Sequence, residues 1–221
     1  MFYIDNISSE DMHIFAEKED FLSRASIDYE EIKIEGKDGE DLIEKNYLNV
    51  MGEITIYLQT NNLDKLYPLF TGKHILRVED KETSIYFYDM AETFRYGSNN
   101  AFSLGYIRSP FWHIYNDSYV IVSDKVVNDG NVYSRPIIKL TGSPNTDVDL
   151  TIAGVRFKYH FDMDDCVTID CNTMEETYEG ISKSKNIEIG FDYPKLKVGD
   201  NEIFIHSGKV IIEMKRKDSW L

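Results

Sequence analysis

The side chains that could do chemistry are present, but their spacing argues against a catalytic centre. Asp164-Asp165 and Glu30-Glu31 are adjacent carboxylate pairs. Glycoside hydrolysis needs two carboxyls at a set separation, one of them lifted in pKa by an apolar setting. Neither pair sits in such a setting, and a chain with 39 Asp and Glu produces neighbouring acids by composition alone. His160, Asp162, Asp164 and Cys166 alternate along what reads as one extended strand, superficially a metal set. Hard carboxylates mixed with a soft thiolate on one strand make a poor closed zinc site. Their alternation with Phe161 and Met163 is also what any half-exposed strand gives, so no metal ligand is assigned. His13, His74, His113 and His206 share no spacing, and HExxH, GxSxG, P-loop and GxGxxG patterns are all missing. The stretch nearest to a phosphate loop is Gly36-Lys37-Asp38-Gly39. It opens no helical pattern, and Asp38, Glu40 and Asp41 would repel an anion, so it reads as a tight turn after a strand at Ile32-Lys33-Ile34. The chain is expected to be no enzyme and to need no cofactor.

Composition narrows the partners. The 221 residues carry 24 Lys and Arg against 39 Asp and Glu, a formal charge of −15. Affinity for a phosphate backbone comes from cationic neutralisation, so a general nucleic-acid binder is disfavoured. Hydrophobic residues at 42% and aromatics at 13% supply enough bulk for a packed core. No run of about 20 apolar residues is present to span a membrane, and Met1-Phe2-Tyr3-Ile4-Asp5-Asn6 lacks the basic-then-apolar pattern of a secretory signal. Cys166 and Cys171 are too few for a disulfide scaffold. Their odd separation turns them to opposite faces of a strand, which fits folding in a reducing cytoplasm.

Period-2 alternation dominates the elements that would position any site. Ile54, Ile56 and Leu58 form one strand; Val148, Leu150 and Ile152, then Ala153-Gly154, then Val155, Phe157, Tyr159 and Phe161 form a hairpin. Shorter strands follow at Val167 and Ile169, at Ile187, Ile189 and Phe191, at Ile203 and Ile205, and at Val210, Ile212 and Met214. Turns are read at Asp129-Gly130, Gly199-Asp200-Asn201 and Ser207-Gly208. One short helix is predicted over 61–72 from Leu63, Leu66, Tyr67 and Phe70, capped by Asn61 or Asn62, stopped at Gly72 and strained by Pro68. The turn formers at 128–131 suggest two domains, 1–132 and 133–221, the second a β-sandwich. Two aromatic groups stand beside turns. Trp112, in Ser109-Pro110-Phe111-Trp112, reads as core, whereas Trp220 fits a sheet-end plug and an interface anchor equally well.

Several phrases in fixed order resemble the distal tail (Dit) protein family of long-tailed, siphovirus-like phages and prophages. In the first half they are Ile32-Lys33-Ile34-Glu35-Gly36-Lys37-Asp38-Gly39, Tyr47, the strand from Ile54, and Ser109-Pro110-Phe111-Trp112. The second half adds Arg135-Pro136-Ile137-Ile138-Lys139-Leu140-Thr141-Gly142, the Ala153-Gly154 hairpin, Val167-Thr168-Ile169-Asp170-Cys171 and Tyr193-Pro194-Lys195-Leu196-Lys197-Val198-Gly199-Asp200-Asn201. It closes with Val210-Ile211-Ile212-Glu213-Met214-Lys215-Arg216-Lys217 and Trp220, so the resemblance spans nearly the whole chain. It implies a mainly β protein: an N-terminal tail-tube-like split β-barrel with one short helix, and a C-terminal galectin-like β-sandwich. It also implies a homo-hexameric ring at the virion tail tip, assembled in the host cytoplasm. Such a ring joins the tail tube protein to a tail-associated hub or lysin protein and to receptor-binding or baseplate proteins, around a channel for DNA. Ring closure needs two different patches per subunit. Gly36, Lys37, Asp38 and Gly39, the polar segment running to Tyr47, and Trp220 are the candidate interface residues, the segment being expected to project as a loop. The alternative from another class is a monomeric carbohydrate-binding β-sandwich module.

Overall fold

Successive side chains of a strand face opposite ways, so Ile54, Ile56 and Leu58 share one face, and all three are buried. Their partners across the ladder, Leu104, Phe102 and Asn100, are buried with them. The computed structural model describes residues 1–16, 21–58, 64, 66–96, 99–115 and 117–221, with side chains at 93–96 and 99 excepted. They form two compact units, Met1–Tyr115 and Asn116–Trp220.

The strands of the first unit are β1 (Phe2–Ile4), β2 (Ile7–Ser8), β3 (Ile14–Ala16), β4 (Ile27–Ile32), β5 (Asp41–Tyr47), β6 (Val50–Leu58), β7 (Gly72–Val78), β8 (Lys81–Tyr96), β9 (Asn99–Arg108) and β10 (Trp112–Ile114). A curled half-barrel sheet runs in the order β2-β1-β7-β8-β9-β6-β3, with β10 on β8. Register shifts in the long β8–β9 ladder mark bulges, which bend and twist a sheet. Phe2, Ile4, Leu76, Ile85, Phe87 and Trp112 complete the apolar interior, each worth about 1.5–3 kcal/mol on burial. Among the described residues of the helix read over 61–72, Tyr67–Phe70 form a 3-10 turn with Pro68 at its start, where a missing N–H costs least. Asn61, Asn62 and Leu63 lie outside the described residues. β4 and β5 join none of this: they make a two-stranded sheet of their own.

The second unit contains β11 (Val120–Val122), β12 (Lys125–Asn128), β13 (Ile137–Thr141), β14 (Thr146–Ile152), β15 (Val155–Phe161), β16 (Cys166–Asp170), β17 (Glu175–Tyr178), β18 (Ile181–Ser182), β19 (Ile187–Ile189), β20 (Gly199–Ser207), β21 (Ile211–Lys215) and β22 (Ser219–Trp220). Two sheets, β11-β21-β13-β16-β17-β18 and β12-β20-β14-β15-β19, make the galectin-like sandwich. Between them pack Ile138, Leu140, Leu150, Phe157, Tyr159, Phe161, Ile169 and Met214. The β14–β15 turn places Ala153 and Gly154 at φ 48° and 82°, the two consecutive positive values that a tight hairpin of the right twist requires. Both cysteines are free thiols, and burial pushes the Cys171 thiol up, which leaves it unreactive.

Several local expectations are corrected. The division at 115/116 precedes the 132/133 read from the turn cluster, because β11 and β12 pair with β21 and β20. The cluster is a turn, with Asn128 and Gly130 buried: the Asn128 side-chain amide donates to the Val132 and Leu196 carbonyls at 2.9 and 3.3 Å, and its oxygen accepts from the Gly130 N–H at 2.9 Å. Gly199-Asp200-Asn201 opens β20 and pairs with β12, so it is strand and not turn. His160, Asp162, Asp164 and Cys166 do not share one strand, because β15 ends at Phe161 and the chain turns before β16. Phe191 lies beyond β19, fully exposed.

Candidate functional site

The hairpin β4–β5 carries five of the six candidate interface residues. Its register pairs Tyr29 with Glu44, Glu30 with Ile43, Glu31 with Leu42 and Ile32 with Asp41. Residues directly opposite share a face, so Tyr29 and Leu42 fall on one side and Ile32 and Ile43 on the other. From residue 27 to residue 46 no side chain is buried; Tyr29 is 53% and Leu42 61% exposed. The segment from 40 to Tyr47 was expected to be a loop. It is strand β5, because Asp41, Leu42, Ile43 and Glu44 pair with Ile32, Glu31, Glu30 and Tyr29 of β4. The projection is therefore a two-stranded arm with an end loop at 33–40.

In that loop Gly36 and Gly39 have φ of 82° and 85°, the left-handed region where a side chain is costly. Lys37 pairs with Asp41 at 2.5 Å and Lys33 with Glu40 at 2.9 Å; along the strands Lys45 reaches Glu30 at 3.0 Å. All are exposed pairs, worth about 0.2–1 kcal/mol each, and they fix the shape of the loop more than its stability. Between 27 and 47 stand eight carboxylates and three lysines, a net 3 − 8 = −5. The arm is thus acidic, apolar on both faces and uncovered.

Its base is built differently. The Leu48 N–H donates to the Ser26 carbonyl at 2.8 Å, closing the two legs. Tyr47 is not at the tip with Gly36, Lys37, Asp38 and Gly39; it is half-buried at the base, its ring edge-on to Phe111 at 5.2 Å. Beside it Arg108, 0% exposed, ends β9. Its guanidinium donates to the Ser109 carbonyl at 2.7 Å and to the Ser23 carbonyl, and lies 5.0 Å from the Trp112 ring. Burial pulls its pKa down to about 10. Motif reading missed Arg108. The signal was its phase: Phe102, Leu104 and Tyr106 are the inward residues of β9, and Arg108 is the next in the series. Trp112 is core, 4% exposed, as read from the sequence.

Trp220, the sixth candidate, belongs to the second unit. It is half-buried on β22, next to Ser219, whose carbonyl accepts from Asn131 N–H at 3.0 Å. On the outer face of the same unit a groove of about 520 Å³ is lined by Asp147, Asp149, Lys158, His160, Asn186 and Glu188. Its charges are largely spent on one another. Arg156 holds Asp149 through two bonds of 2.9 and 2.7 Å, and the hydrogen bonding, opposed in part by burial, keeps that carboxyl below its usual range. His160 meets Asp147 at 2.7 Å, and Lys158 lies 3.7 Å from Glu188. The aromatic side chain at its edge, Tyr159, is buried, so no ring is offered for stacking on a sugar. Among the described residues no group of three or more His, Cys, Asp or Glu is placed to hold a metal ion.

Comparison with known proteins bears on both units. The family model of the siphovirus-type tail component, C-terminal domain, matches residues 129–220. The crystal structure of SPP1 Dit, described as a paradigm of the hub adsorption apparatus in phages infecting Gram-positive bacteria, is similar over 100% of this chain and 98% of its own. The TM-score is 0.74 at 13% identity. A chain of the phage P2 baseplate in its activated conformation with calcium covers 95% of this chain and 92% of its own, with a TM-score of 0.48 at 11% identity. No curated protein sequence matches. Residues 129–220 are thus similar to the C-terminal domain of siphovirus-type tail components, and over its full length the chain has the fold seen in SPP1 Dit.

Proposed function

We propose that this chain is the hub of a phage tail tip: six copies close into a ring that joins the tail tube to the adsorption apparatus and leaves a channel for DNA. The first unit forms the ring and the second stands as a platform for receptor-binding or baseplate proteins. Axial neighbours are the tail tube protein on one side and a tail-associated hub or lysin protein on the other. It works by assembly, without catalysis or cofactor, in a virion put together in the host cytoplasm. The observation that carries this reading is the Dit fold over the whole chain, together with the tail-component domain at 129–220. The uncovered arm supports it physically. Exposed apolar groups on an isolated two-stranded sheet gain most from a neighbouring subunit, since such a hairpin is marginal alone.

Charge fits the same role. Six copies at −15 give a formal −90. A negative bore repels the phosphates of passing DNA in place of exchanging counterions with them, so the bore is lined by Asp and Glu more than by Lys and Arg. A monomeric saccharide-binding module gains no support from the groove on the second unit, whose polar groups are paired among themselves. Negative-stain imaging of the chain mixed with the tail tube protein tests the proposal. Six-fold annular particles capping the tubes are the expected result; free monomers beside bare tubes would overturn it.

A further inference from the structure

We propose that Arg108 is a positioning residue of the arm, a side chain that fixes the direction in which β4–β5 leaves the first unit. Both legs of the arm root at this residue. Backbone pairing holds Arg108 against Val50, the first residue of β6, three positions after the leaving leg ends. Its side chain crosses to the other leg and donates to the Ser23 carbonyl, four residues before β4. The next residues finish the socket: Ser109 supplies a carbonyl to the same guanidinium at 2.7 Å, and Phe111 receives the Tyr47 ring. Thr83 fixes Phe111 in turn, donating to its carbonyl at 2.8 Å.

Energetics explain why the residue is a positioning device and more than filler. A buried cation bonded to carbonyls pays a desolvation cost that an apolar side chain of similar length avoids, and its Nε–H finds no acceptor there. What an apolar replacement lacks is the planar fork, which reaches two separate chain segments with directional bonds. Without it, the Ser23 carbonyl, at the exposed start of the arm, turns to water, and the entering leg loses the bond that joins it to the end of β9.

Hydrogen exchange with millisecond labelling on the full chain tests this. In Arg108→Met, amides of β4, β5 and Leu48 should exchange at least tenfold faster, while those of β6, β9, β14, β15 and β20 keep their rates. Arg108→Lys, which keeps the charge and loses the fork, should lie between the two and provides the reading if the Met variant does not fold. Unchanged arm rates in a folded variant would overturn the proposal, and so would an equal acceleration through β6 and β9, which marks a core residue only. The consequence for the ring rests on the assembly reading above. The measurement itself is made on the unassembled chain, so a loosened arm with normal rings would sink the assembly role of the arm and leave the positioning role standing.

Discussion

Two hairpins of nearly equal strand length have opposite fates in this molecule. β14–β15 pairs seven residues with seven, and its inward side chains, Val148, Leu150, Ile152, Phe157, Tyr159 and Phe161, are all buried. β4–β5, with strands of six and seven residues, contains Ile27, Tyr29, Ile32, Leu42 and Ile43, and buries none of them. Both have left-handed residues at their turns, Ala153 and Gly154 in one, Gly36 and Gly39 in the other. The difference is the covering layer. The sandwich hairpin keeps its apolar residues on one face and a second sheet closes over it, whereas the arm spreads them over two faces and has no second sheet. Alternation therefore specifies a strand, but burial is specified by what lies across from it.

Substitutions should affect the two hairpins differently. The largest effect belongs to the sandwich: Phe157→Ala should lower unfolding free energy by about 3–5 kcal/mol, read from urea denaturation of the second unit. Next, the two turns should respond differently to one chemical change. Gly154→Val places a β-branched residue at φ 82° and should cost about 1–2 kcal/mol of global stability. Gly36→Val meets the same φ but should melt only the arm tip, visible as faster exchange at 33–40 with an unchanged unfolding midpoint. On the arm strands, Leu42→Ser should move folding stability by less than about 0.5 kcal/mol, because no packing is lost in the lone chain.

The smallest effect is electrostatic and sits in the first unit. Burial pushes the Asp5 carboxyl up, but hydrogen bonds from the Ile75 N–H and the His74 ring at 2.6 Å outweigh it and hold the carboxyl below its ordinary 3.8. A depressed carboxyl binds fewer protons folded than unfolded, so its stabilisation is complete above that ordinary value and is lost as pH falls through the folded one. Asp5→Asn should accordingly flatten the acid limb of the first unit's stability curve below about pH 4, with little change at neutral pH. Asp218 in the second unit runs the other way: burial raises it against the pull of Arg216 at 2.9 Å, so it favours folding more in acid.

Much of the fold was legible because inward residues recur at period 2. Ile54, Ile56 and Leu58, and the paired runs around Ala153-Gly154, are strands whose side chains vary only in direction. What alternation could not convey was tertiary. The strands at 120–122 and 125–128 are short, and only their partners, β21 and β20, assign them to the second unit. The helix signal at Leu66, Tyr67 and Phe70 was real periodicity interrupted by Pro68, which leaves a 3-10 turn. At the candidate site the glycines of the loop announced a turn, and the acidic run between them and Tyr47 suggested solvent. The pairing of that run with β4 depends on alternate Leu42 and Glu44 matching Glu31 and Tyr29, a cross-strand relation that a single segment does not display. Arg108 was hidden for a similar reason. An arginine reads as surface until its strand phase is taken seriously.

On the proposed assembly, the uncovered arm is what holds copies of this chain together. The most direct test is the native mass by light scattering of the wild-type chain and of Tyr29→Ser with Leu42→Ser, each alone and with the tail tube protein. Assembly through the arm gives six-subunit particles for the wild type and monomers for the double variant, with both chains equally folded. Rings of unchanged mass from the double variant, or a wild type that stays monomeric even on the tube, would contradict it.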